Sequence, residues 1–90
     1  MVGNINVLEQ QSITKMPQEA ASAWAVFDGS VVGAAYKPIA YVGTQVVKGV
    51  NHVFLAEQTI ITAEPVRHIV IVTINEFNGK YHPVGVEQII

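Results

Sequence analysis

From about Tyr36 onward the sequence is rich in Val, Ile, Thr, Tyr and Phe set out with a period of two, and no other feature restricts its fold as strongly. Successive side chains of a strand point to opposite faces, so a long run of this kind specifies β-sheet rather than helix. Turn signals divide the run into four pieces. The first extends from about Tyr36 to Gln45 and contains Pro38, which cannot donate to a ladder and therefore belongs at an edge or a bulge. The second, Val50 to Thr62, places Val50, His52, Phe54 and Ala56 on one face and Asn51, Val53 and Leu55 on the other. After a turn at Ala63-Glu64-Pro65, the third runs from Val66 to Phe77. Val66, His68, Val70, Val72 and Ile74 share one of its faces, and Arg67, Ile69, Ile71, Thr73 and Asn75 the other. Being apolar on both faces in its middle, it reads as a central strand. Asn78-Gly79 is a hairpin signal, since both residues accept positive φ, and a last strand follows from about Tyr81 to Ile90.

Ahead of the strands, Gln18 to Phe27 carries the periodicity of a helix. Ala20, Ala23, Trp24, Phe27 and Val31 fall on one stripe. Pro17 stands where an N1 proline would start the helix, and Glu19 faces the positive end of its dipole. Asp28-Gly29 and Gly33 are the stop signals. The expected architecture is α+β: one N-terminal helix packed across a curved antiparallel sheet of four to five strands, with residues 1–90 forming a single domain.

Composition narrows the function. Half of the 90 residues are apolar and 13% are charged, so the chain must bury most of its apolar side chains without help from disulfides, as it has no cysteine. A formal charge of −2 lacks the basic footprint of non-specific nucleic-acid binding, and nucleic acid is not an expected partner. No stretch approaches the ~18 apolar residues that cross a bilayer. The first ten residues show no basic segment followed by an apolar one. The expected compartment is cytoplasmic if the sequence is complete, and secreted or periplasmic if a signal peptide has been removed.

Between the first two strands stands Gln45-Val46-Val47-Lys48-Gly49. Two adjacent β-branched apolar residues in a hairpin, between a polar residue and a glycine, expose apolar surface that a protein ordinarily reserves for a partner. Gly49 allows the backbone to turn, and Gln45 can brace the loop through its amide. The product is a rigid apolar tongue. The pentapeptide resembles the Gln-x-Val-x-Gly hairpin of the cystatin family, inhibitors of papain-like cysteine proteases. The wider run from Thr44 to Phe54, Asn51 included, is similar to that family's usual "QVVAGTNYF" stretch. The likeness extends from the helix to the last strand. The lack of cysteine and Gly3 near the start place it nearest the stefin branch and the plant and bacterial relatives.

The resemblance implies a helix cradled by an antiparallel sheet and a reversible competitive inhibitor that needs no cofactor. It implies three contact regions in the protease cleft. Val2 and Gly3 would lie along the non-primed subsites, Gln45, Val46, Val47, Lys48 and Gly49 would form the first hairpin, and Asn78, Gly79, Lys80 and Tyr81 the second. The second hairpin departs from the family's Pro-Trp or Leu-Pro-Gly, leaving Tyr81 as the aromatic available for contact. Lys48 replaces the common small residue, and its charge is expected to tune partner choice.

The residues leave other readings beside this one. A cystatin-like module that binds another protein, or a second copy by exchanging strands through the first hairpin, uses the same exposed edges without inhibiting a protease, as a monomer or a domain-swapped dimer. His52, His68 and His82 lack the spacing and the acidic or thiol companions of a metal site, although His52 and His68 fall on neighbouring strands as potential cross-strand neighbours. Ser12, Ser22 and Ser30 lie outside any nucleophile motif and the carboxylates show no suggestive pairing, so a small enzyme is the weakest reading.

Overall fold

A computed structural model describes residues 5–7, as backbone, and residues 16–90. Val2 and Gly3 lie outside the described residues. The elements follow the chain as β1 (Ile5–Val7), α1 (Gln18–Ser30), β2 (Ala34–Val47), β3 (Gly49–Ile60), β4 (Val66–Phe77) and β5 (Lys80–Gln88). The five strands form one antiparallel sheet in sequence order, and α1 packs on one face of it.

The helix begins one residue later than an N1 proline would set it. Pro17 is the cap, with φ −54° and ψ 152°, and its carbonyl accepts the Ala21 amide at 3.0 Å. The expected stop at Asp28-Gly29 is corrected. Helical backbone continues through Gly29 to Ser30, where the Ser30 hydroxyl donates to the Phe27 carbonyl at 2.8 Å and satisfies one of the acceptors left open in the last turn. The left-handed turn falls instead at Gly33, φ +83°, whose carbonyl accepts the Ile61 amide as β2 begins.

Ala20, Ala23 and Phe27 are buried against the sheet, with Trp24 and Val31 partly buried beside them, as the stripe requires. The two alanines let the helix approach closely while the aromatics fill the space left over. Trp24 packs on Phe54 with ring centroids 5.2 Å apart, Tyr41 on Phe54 at 5.2 Å, and Phe27 meets the edge of Tyr36 at 4.9 Å. The sheet's side of this core is Tyr41, Phe54, Ala56, Val70, Val72 and Ile74. Apart from Tyr41 of β2, these residues occupy the faces that alternation assigned to β3 and β4.

Pro38 stands where its chemistry demands. β1 pairs only with residues 43–45, which leaves the rest of β2 as an edge among the described residues, and the β2–β3 register shifts between Pro38 and Ala40. A second shift follows between Tyr41 and Gly43, and a third opposite Thr73/Ile74 in β5. Bulges of this kind bend a strand and increase its twist.

A candidate protein-binding edge

Strand order and hairpin lengths bring three parts of the chain to one end of the sheet. Ile5 stands opposite Gln45, Val50 opposite Glu76, and Glu76 opposite Tyr81, so the start of β1, the β2–β3 hairpin and the β4–β5 hairpin lie side by side.

The first hairpin is very tight. Val46 pairs with Val50 and Val47 with Gly49, leaving Lys48 alone at the tip. Gly49 has φ +85°, and a Cβ there would run into the Glu76 backbone carbonyl and stand 3.1 Å from the Phe77 Cβ. The glycine therefore serves both the turn and a close approach of β3 to β4. Val46 is 61% exposed, whereas Val47 is half-buried, so the tongue presents one of its two valines fully rather than both. Adjacent residues of a strand take opposite faces, and only one of these faces is open here.

Gln45 braces the loop, but as one member of a row of amides. On the sheet face away from the helix, the Asn75 amide donates to the Asn51 side-chain oxygen at 3.0 Å and to the Lys48 carbonyl at 3.1 Å, and Asn51 donates to Gln45 Oε1 at 3.4 Å. Asn51 is 6% exposed. On the helix face, Tyr41 Oη lies 2.9 Å from His52 Nδ1, and His52 Nε2 lies 2.8 Å from Glu76 Oε1. Burial, with the Glu19 and Glu76 carboxylates nearby, pushes the Tyr41 phenol up to about 12. The phenol therefore keeps its proton, and toward a neutral imidazole it donates to Nδ1. A neutral imidazole in this arrangement carries its own proton on Nε2 and donates it to Glu76. Tyr41 and His52 are each 4% exposed while the Glu76 side chain is 27% exposed, so the trio braces the hairpin root from a largely buried position. The hairpin root is thus held by hydrogen bonds on both faces of the sheet.

The second hairpin is closed by Asn78, φ 53°, and Gly79, φ 72°, between the paired Phe77 and Lys80. Positive φ at both central residues defines the type I′ turn that suits the twist of flanking strands. Lys80 is exposed, but Tyr81 is half-buried and packs against the core, so the exposed aromatic at this edge is Phe77, at 41%. Lys48 Nζ sits 5.4 Å from the centre of the Phe77 ring and links the two hairpins. Neither Phe77 nor Asn75 was singled out by sequence patterning. Register would have found Asn75, because folding β3 and β4 about Ala63 sets Asn51 opposite Asn75, and folding β2 and β3 about Lys48 sets Gln45 opposite Asn51.

The histidines are dispersed, which corrects the cross-strand pairing of His52 with His68. His52 faces Ile74, His68 faces Gln58 and His82 faces Asn75. Among the described residues no three His, Cys, Asp or Glu side chains cluster as metal ligands, and no helix is long and apolar enough to cross a membrane. No family model, curated protein or solved structure matches the chain.

Proposed function

We propose that this chain is a reversible competitive inhibitor of papain-like cysteine proteases, acting through the edge formed by β1, the Gln45 to Gly49 hairpin and the Asn78 to Tyr81 hairpin. The observation that carries the reading is the first hairpin. A tip with an exposed valine, closed by a glycine no other residue can replace without a clash, is pinned by side-chain hydrogen bonds at its root. Such a loop loses little conformational entropy when it is covered, and the apolar contact is kept as affinity. Val46 and Val47 are both paired in the ladder, so the tip is a poor substrate: a protease takes up an unpaired extended segment, and this backbone is already paired to β3 and reverses at Lys48. Phe77 and Lys48 widen the tip, and Val2 and Gly3 would complete the wedge ahead of Ile5. The resemblance of residues 44–54 to the cystatin stretch supplies the protease class.

The test is a panel of papain-class proteases assayed with the intact chain and with Met1 to Gly3 deleted. Inhibition by the intact chain that weakens on deletion supports the reading, and no inhibition at micromolar concentration by the intact chain overturns it.

A second reading rests on a different observation. The outer side of β5 pairs with no strand among the described residues, and Val84, Val86, Ile89 and Ile90 are exposed there or just beyond, at 60, 41, 53 and 76%. An apolar edge of this kind adds strands from another chain or a second copy. A stable dimer in size-exclusion chromatography that leaves the proteases active favours this non-inhibitory module.

A further inference from the structure

The amide row and the two hairpins make a connection that neither hairpin has alone. Asn75 lies on β4, three residues before the Asn78-Gly79 turn, yet its amide reaches the carbonyl of Lys48 at the tip of the other hairpin, 3.1 Å away and 27 positions distant in sequence. The same amide donates to Asn51 at 3.0 Å, and through Asn51 the row continues to Gln45, which stands beside Ile5 of β1. One side chain therefore ties the second hairpin to the tip and root of the first and, through the row, toward the chain's entry into the sheet. Gly49 rests on the Glu76 and Phe77 backbone and side chain next to it, so a shift of β4 is transmitted to the tip by contact as well.

We infer that Asn75 is a positioning residue that joins the two hairpins into one rigid unit and so sets how slowly a bound partner leaves. This rests on the proposed inhibitory reading for its effect on a protease, but the rigidity of the hairpins is measurable without one. A primary amide is the group the position requires: it offers two hydrogens, and both acceptors here are oxygens. Losing it leaves the Lys48 carbonyl and the Asn51 oxygen without their donor, at a cost that loosens the loop before it threatens the core. Loosening acts on the bound lifetime, because a loop that must be re-ordered in the complex gives up affinity chiefly as faster dissociation.

The experiment compares wild type with Asn75→Leu, Asn75→Ser and Asn75→Gln by amide hydrogen exchange and by stopped-flow binding to papain. Expected for Asn75→Leu and Asn75→Ser are exchange at Val50 and Asn51, which are paired on both sides at the hairpin root, about tenfold faster with Val70 and Val72 unchanged, and dissociation about tenfold faster with association within about threefold. Asn75→Gln, which keeps the donating amide, falls between these and wild type. Unchanged exchange at Val50 and Asn51 overturns the coupling. Faster exchange with unchanged dissociation overturns its role in binding. Absence of any binding by the wild type overturns the inhibitory reading and the dissociation claim with it, and exchange alone then decides the coupling.

Discussion

Val46 gives the sharpest quantitative expectation. Complete burial of a valine side chain contributes about 1.5–2 kcal/mol, and Val46 is 61% exposed in the free chain, so a partner that covers it gains about 1 kcal/mol from this residue. Val46→Ala removes the two methyls that supply most of that and is expected to raise Kd about fivefold. Val46→Asp loses the same contact and also carries an unpaired carboxylate into the interface, which adds at least about 2 kcal/mol, for a total weakening of about a hundredfold or more. Neither change removes a core contact, so the thermal midpoint stays within about 2–3 °C of wild type, as for other surface substitutions. The assay is a steady-state Ki for each variant against papain, with calorimetry on the same preparations. Val46→Asp inhibiting as well as wild type would refute the reasoning, since it would mean that the hairpin stays in water when the protease is bound.

Four further outcomes follow from the same geometry. Gly49→Ala is expected to destabilise by more than the 1–2 kcal/mol of left-handed backbone alone, because the new Cβ meets the Glu76 carbonyl, and urea unfolding measures it. With the Tyr41 phenol at about 12 against its ordinary 10.0, the folded chain holds a proton that the unfolded chain releases, so stability is intact below pH 10 and falls as pH rises toward 12, by at most about 3 kcal/mol. Tyr41→Phe flattens that alkaline limb while costing about 1–3 kcal/mol at neutral pH, where His52 Nδ1 loses its donor. Lys48→Glu reverses a charge exposed beside Phe77, and is expected to change the association rate and its salt dependence more than the dissociation rate.

What the sequence made legible depended on how local the physics was. The helix stripe, the faces of β3 and β4, the bulge at Pro38 and the Asn78-Gly79 turn all appear where patterning sets them, because each is decided by side-chain period or by the φ one or two residues tolerate. Gly29 misled because a glycine near a helix end costs only about 1 kcal/mol in helical backbone, which one serine hydrogen bond and the packing of Phe27 offset. β1 is three residues long and has no room to show a period. The site was legible in part. Gln45 and Gly49 announced themselves in a contiguous motif, whereas Asn75 and the Tyr41–His52–Glu76 chain are assembled across strands and become visible only once register is fixed. The exposure of Phe77 and the packing of Tyr81 depend on the end of the sheet beyond the helix, which no single strand's pattern reveals.

An edge that occupies the active-site cleft of a papain-like protease must compete with substrate for it. This competition is tested most directly by titrating papain with the intact chain at several concentrations of a small peptide substrate. Saturation at one chain per active enzyme and an apparent Ki that rises linearly with substrate are expected. Full papain activity at micromolar chain, or an apparent Ki that does not depend on substrate, would contradict that competition.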